Sequence, residues 1–142
     1  MKRTAHAHWQ GDLKNGAGKL TTASHTLKET PYSFHDRFED GKGTNPEELL
    51  AAAHAGCFTM ALSAQLMQKG LTATSLDTEC TITLEKKGDG FEITESRLNL
   101  KAVVPSAAKG DFDAAVKAAE TGCPVSKLYK TTITVTTDLV SN

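Results

Sequence analysis

The stretch from Leu49 to Met67 constrains this chain more than any other part of it. It is almost free of charge and long enough to suggest a membrane span. It is rich in alanine rather than leucine, however, and carries His54, Ser63 and Gln65, which points to a helix buried in protein. A helix that is apolar on every side must be covered by something. One chain of 142 residues has limited surface for that purpose, whereas a second copy supplies it readily. The start of the helix is well marked: Asn45 suits the N-cap, Pro46 the first helical position, and Glu48 completes a capping-box-like spacing. Glu47 and Glu48 favour the positive end of the helix dipole, and Gly70 is the expected stop.

The flanking segments predict strands and shorter helices. Thr4 to Gln10, a turn carrying Asn15-Gly16, and Lys19 to Ala23 form an expected hairpin, with Pro31 to Phe38 as a third short extended piece. After the long helix, Leu76, Thr78, Cys80, Ile82 and Leu84 alternate with polar residues as in a strand with one buried face. The turn KKGDG leads into a second strand. There Phe91 and Ile93 are out of phase with Leu98, Leu100 and Ala102, which calls for a bulge near Glu95. A helix over Phe112–Glu120, a short helix from Pro124 to about Tyr129 and a strand over Thr131–Leu139 complete the order. Strands, helix, strands, helices and strand predict an α+β chain, residues 1–142 as one domain, with helices on one face of mainly antiparallel sheet.

Sixteen basic and seventeen acidic residues nearly cancel. Without a basic stripe, nucleic acid is an unexpected partner, and the reading of the long helix argues against a membrane. No apolar core follows the first basic residues, so no signal peptide is expected and the default compartment is a reducing cytoplasm. Three cysteines are too few for a disulfide scaffold and in that setting are catalytic, metal-binding or plain core residues.

Cys57 lies within the long helix and Cys123 in the turn-like GCPVSK; only the fold can bring them together. Cys57 alone reads as a core residue, since free cysteine is commonly buried. It is more than three turns from the N-cap, beyond useful reach of the helix dipole, so a reactive thiolate there needs a cationic side chain. Arg37 is the leading candidate. Glu47 is ten residues before Cys57, roughly 15 Å of rise on a continuous helix, and cannot touch it within one chain. Two such helices crossed antiparallel near Ala52, where Ala51, Ala52, Ala53, Ala55 and Gly56 permit close approach, would bring Glu47 of one near Cys57 of the other. Cys123, before Pro124, falls at or near the N-cap of the next helix, where free N–H groups lower a thiol's pKa. Cys80 reads as a small core residue. His54 reads as a hydrogen-bonded core histidine; a metal site with Cys57, His54 and Cys123 is an alternative, although it needs about four ligands. His6 and His8 mark a strand face, and Asp111 and Asp113 a helix's first turn.

The runs RFEDGKGTNPEELLAAAHAGCFTMAL and GCPVSK, with AHWQGDLKNGAGK near the start, closely resemble the OsmC/Ohr family of thiol peroxidases across essentially the whole chain. AAHAGCF places it nearer the OsmC branch, with Gly56 where alanine is the family's expected residue. The resemblance implies an OsmC-like fold, sheets packed around long buried central helices in an intertwined homodimer. It also implies reduction of organic hydroperoxides, and more weakly of hydrogen peroxide, in oxidative or osmotic stress. By the same resemblance Cys57 is the peroxidatic and Cys123 the resolving cysteine, joined in a disulfide during turnover. Arg37 activates the thiolate and Glu47 orients Arg37. No metal or organic cofactor is implied, and the reductant is a dithiol, of lipoyl type in the Ohr branch. Phe34, Phe38, Phe58 and Met60 are candidates to line an approach for an alkyl peroxide. The remaining alternative is a non-enzymatic stress protein that binds a lipid-like or metal ligand.

Overall fold

The computed structural model describes residues 1–128. The strand expected over Thr131–Leu139, and the end of the last helix at Tyr129, lie outside the described residues. The chain divides into two compact units that share its elements, one made of Met1–Ala53 and Cys80–Leu98, the other of His54–Glu79 and the segment from Asn99 on. The elements are α-helices and antiparallel strands, the α+β composition that the sequence predicts.

In the first unit, β1 (Ala5–Gln10), β2 (Ala17–Thr22) and β3 (Thr30–Tyr32) form an antiparallel sheet in that order. The β1–β2 register sets Trp9 opposite Gly18, and Gly18 also faces Tyr32 of β3. The turn is set by Asp12, whose Oδ1 accepts the backbone N–H groups of Lys14 and Asn15 at 2.9 Å each. Glycine is required at position 18, because a Cβ there would lie 2.3 Å from the Tyr32 ring and 2.7 Å from that of Trp9. The two rings can therefore approach, with centroids 5.5 Å apart.

The segment after Pro31, expected to be extended, becomes helix α1 (Phe34–Phe38). The reason is local. Ser33 caps it by accepting the Asp36 N–H, and its hydroxyl donates to Asp36 Oδ2 at 2.6 Å. Reciprocal bonds of this kind satisfy the free donors of a first turn.

Helix α2 (Pro46–Gln68) begins and ends where the sequence predicts. Asn45 Oδ1 accepts the Glu48 N–H at 2.8 Å, while the Glu48 carboxylate takes the Thr44 hydroxyl at 2.7 Å. At the other end Gly70 has φ +71, and Leu71 N–H donates to Leu66 O at 3.0 Å, a left-handed helix stop that glycine adopts without penalty. The helix does not break at Gly56. In the single chain its buried stripe is His54, Phe58, Leu62 and Leu66. The opposite stripe, with Ala52, Ala53, Gly56, Met60, Ala64 and Met67, is exposed; Met60 and Met67 are 77% and 72% accessible. By length and composition α2 could cross a membrane.

Strands β4 (Ser75–Lys87) and β5 (Gly90–Val103) form a two-stranded sheet. From Leu76 to Leu84 the expected face of β4 is the more buried one. β5 is assigned without interruption; Phe91 and Ile93 are exposed rather than core, and Phe91 instead meets Phe38, with ring centroids 5.0 Å apart. In the second unit α3 (Lys109–Gly122) and α4 (Pro124–Lys127) follow. Among the described residues its core includes Phe58, Leu62 and Leu66 of α2, Ala115 and Ala119 of α3, and Cys123 between α3 and α4. Lys69, just past α2, pairs with Asp111 of α3 at 3.2 Å.

Leu62 is fully buried. Leu62→Ala is expected to lower unfolding free energy by about 2–5 kcal/mol through lost burial and the cavity left behind. Urea denaturation checks this; a cost below about 1 kcal/mol would show that the side chain is not part of a packed core.

Candidate active site

The four site residues expected from the sequence form two contacting pairs, one in each unit. The first pair is Arg37 and Glu47. Arg37 Nε donates to Glu47 Oε1 and Oε2 at 3.1 and 3.2 Å, and Nη2 donates to Oε1 at 2.7 Å. Bonds from a planar guanidinium to both oxygens of a carboxylate fix its orientation as well as its position. Glu47 is 12% exposed and Arg37 39%, so the carboxylate is sheltered while the guanidinium keeps an open side. The Arg37 guanidinium also lies 5.3 Å from the Phe38 ring centroid.

The loop that joins α1 to α2 is tied to Asp36, a residue the sequence reading did not single out. Besides Ser33, its carboxylate accepts the Gly43 N–H at 2.6 Å, and its carbonyl accepts from the Asn45 side chain at 3.1 Å. The Ser33 hydroxyl first, and then the Gly43 N–H, hold the Asp36 carboxyl below the usual carboxylate range. Gly43 leaves the needed space, since a Cβ there would lie 2.6 Å from both Asp36 Oδ2 and Pro31 O. Arg37 is thus carried on a short helix whose loop is bound to the N-cap of the helix bearing Glu47.

Arg37 also lines a pocket of about 310 Å³ with Trp9, Leu13, Tyr32, Ser33, Phe34, Phe38 and Pro46. Phe34 and Phe38 are therefore at a cavity, as expected. Phe58 is not available for that role because it is buried in the core of the other unit, and Met60 stands exposed on α2.

The second pair is Cys57 and Cys123, whose thiols lie close enough to shift each other's acidity. Cys57 is half-buried; Cys123 is 0% exposed. Burial, then the Cys123 thiol, push the Cys57 thiol up, against a smaller opposite effect from the Val125 N–H. Burial also opposes ionisation of Cys123. There the Cys57 thiol, the N–H and hydroxyl of Ser126 and the Val125 N–H outweigh it and hold that thiol below its ordinary value. Within their own unit the pair therefore favours loss of the first proton from Cys123 rather than from Cys57. The more accessible sulfur is the less acidic one, so its activation needs a positive charge that Cys123, Val125 and Ser126 do not supply.

His54 lies in the same unit, 8% exposed, with Nε2 hydrogen-bonded to Ser126 Oγ at 3.0 Å. This agrees with the core histidine read from the sequence. Among the described residues no cluster of three or more His, Cys, Asp or Glu is placed to hold a metal ion. Cys80 is half-buried and bonded to the Ser96 hydroxyl at 3.4 Å. His6 and His8 are exposed on β1. The sequence reading did not single out Ser126, although its place one helical turn after Cys123 puts it on the same side of a helix start.

The family model described as OsmC-like protein matches residues 39–138. Peroxiredoxin OsmC of Escherichia coli K12 is 46% identical over 141 residues, 99% of each chain. The organic hydroperoxide resistance protein of Xanthomonas axonopodis pv. citri is 30% identical over 137 residues, covering 96% of this chain and 93% of that one. Among solved structures, an OsmC-like protein of unknown function from Vibrio cholerae shares the fold with a TM-score of 0.71, at 14% identity over 90% of this chain and 93% of the other. The organic hydroperoxide resistance protein OhrB of Bacillus subtilis gives a TM-score of 0.64 at 25% identity, with 89% and 90% covered.

Burial holds the His54 pKa below its ordinary 6.5, so the folded chain favours the neutral ring. The stability this contributes is complete above about pH 6.5 and is lost as pH falls toward the folded value. Denaturation midpoints of the wild type are expected to drop more steeply between pH 7 and 5 than those of His54→Gln. Parallel curves would contradict the assignment of a neutral buried imidazole.

Proposed function

We propose that this chain, which belongs to the OsmC-like protein family, works as a cytoplasmic homodimer with Cys57 peroxidatic, Cys123 resolving, and Arg37 and Glu47 completing each site from the partner subunit. The chain is a cysteine-based peroxidase that acts on hydroperoxides and requires a reductant. The observation that carries the proposed roles is the proximity of the thiols of two cysteines far apart in sequence, each of which shifts the other's acidity. A core cysteine needs no such partner. A cysteine that must close a disulfide does, because the bond forms only when the Cα atoms lie within about 7 Å.

Accessibility assigns the roles. Peroxide reaches the half-buried Cys57 sooner than the enclosed Cys123. The Cys57 thiolate attacks one peroxide oxygen, the O–O bond breaks and the alkoxide leaves as alcohol after taking a proton. Sulfur has then lost two electrons to the peroxide and become a sulfenic acid. Cys123 attacks that sulfur, the disulfide forms and water leaves. A dithiol of lipoyl type returns two electrons by thiol–disulfide exchange. The aromatic pocket beside Arg37 suits the alkyl part of an organic hydroperoxide, while the guanidinium binds the peroxide oxygens.

The dimer rests on two features of α2. Its exposed apolar stripe, small at Ala52, Ala53 and Gly56, matches the close crossing expected of two such helices. Its continuity from Pro46 to Gln68 keeps Glu47 roughly 15 Å of rise from Cys57 of the same chain. The cation that ionises Cys57 is then the partner subunit's Arg37.

One equivalent of an alkyl hydroperoxide added to reduced protein is expected to give a Cys57–Cys123 intrachain disulfide, found by peptide mass analysis. Cys123→Ser is expected to stop at a dimedone-trappable sulfenic acid on Cys57. Cys57→Ser is expected to lose at least about three orders of magnitude in kcat/KM. First oxidation at Cys80 or Cys123 would contradict the assignment.

A further inference from the structure

We propose that Ser126 and His54 form a proton relay that deprotonates the resolving Cys123 for its attack on oxidised Cys57. This rests on the peroxidase reading and assigns a role to a buried histidine that the reaction as described does not use. The side chains lie in a continuous line, closed at its far end by a hydrogen bond. Cys57 Sγ meets Cys123 Sγ, Cys123 Sγ meets the Ser126 hydroxyl, and Ser126 Oγ meets His54 Nε2 at 3.0 Å. All four residues belong to one unit. The ends of the relay are enclosed, Cys123 completely and His54 to 8% exposure, so the thiol proton has no direct route to solvent.

A serine hydroxyl has one hydrogen and accepts through its oxygen. When it accepts the Cys123 S–H it can donate to the bare Nε2; when it donates to a Cys123 thiolate it can accept from Nε2–H. One concerted shift of two protons converts the first arrangement into the second. Burial keeps the imidazole neutral, which leaves it able to take that proton.

The need for a relay arises at one step. A protonated Cys57 would ease ionisation of Cys123, but at the closure step Cys57 is a sulfenic acid and has no thiol proton to lend. The Cys123 proton then passes through Ser126 to His54, the Cys123 sulfur attacks the Cys57 sulfur, the S–S bond forms and the S–O bond breaks. The departing hydroxide takes up one proton to leave as water, and His54 gives one up, so the ring ends neutral. No outside oxidant is consumed in this step.

The test separates sulfenic acid formation from disulfide closure. Reduced protein is mixed with cumene hydroperoxide and quenched at intervals with dimedone, and both products are counted by mass. In Ser126→Ala, closure is expected to slow by about 10²-fold, the lower range for loss of a positioned proton acceptor, and by far more than sulfenic acid formation does. Ser126→Thr, which keeps the hydroxyl, is expected to restore closure to within a few-fold of wild type. The solvent deuterium isotope effect on closure is expected to change in Ser126→Ala and return in Ser126→Thr. Closure at the wild-type rate in Ser126→Ala, equal slowing of both steps, or failure of Ser126→Thr to restore closure would overturn the relay while leaving the peroxidase reading intact. If the wild type forms no Cys57 sulfenic acid, the peroxidase reading falls and the relay with it.

Discussion

The unbroken run of helix from Pro46 to Gln68 governs the rest of the chemistry. It carries an anionic anchor at its first turn and a thiol near its middle, and ten residues of helix hold the two roughly 15 Å apart along the axis. A bend would be needed to bring them together, and the usual causes are absent: no proline follows Pro46 in the helix, and Gly56 is passed without a break. On the proposed reading, the guanidinium bound to Glu47 serves the thiol of a second copy, which the apolar stripe left open on α2 would receive.

The electrostatics lead to the same place. Each thiol is buried enough to resist ionisation, and the hydrogen bonds of their own unit favour negative charge on Cys123. Left alone, this pair favours losing its first proton from Cys123 rather than from the more accessible Cys57. A cation beside Cys57 reverses that preference, since opposite charge favours the ionised form. The bidentate bond to Glu47 orients the guanidinium, and the Asp36-bound loop fixes the short helix that bears it. In the proposed dimer the acidity of Cys57 then follows assembly.

Much of this was legible in the residues. Asn45 and Gly70 mark the ends of α2 because caps are local: a side-chain oxygen meets an N–H three residues on, and a glycine adopts positive φ. The β1–β2 hairpin and the alternation in β4 are local in the same sense. Which side of α2 is buried was not legible, because a helix apolar all round has no preferred face until its neighbours choose one. Helix α1 was hidden by its length and by the proline before it, although Ser33 and Asp36 carry the capping spacing. Phe91 broke the phase of its strand, and its contact with Phe38 is a tertiary fact. Arg37, Glu47, Cys57 and Cys123 were singled out by resemblance, and the structure pairs Arg37 with Glu47 and sets Cys57 near Cys123, whereas the contact of Ser126 with His54 needed the fold.

Paired inactive chains test the central claim most directly. Arg37→Met and Cys57→Ser chains, each with a different affinity tag, are co-expressed and the species bearing both tags is isolated. If the partner subunit's Arg37 activates Cys57, each heterodimer contains one complete site, and hydroperoxide reduction is expected to return to about half the wild-type rate per dimer while each parent remains inactive. Heterodimers as inactive as their parents would contradict the account, because they would place the activating arginine in the same chain as the thiol.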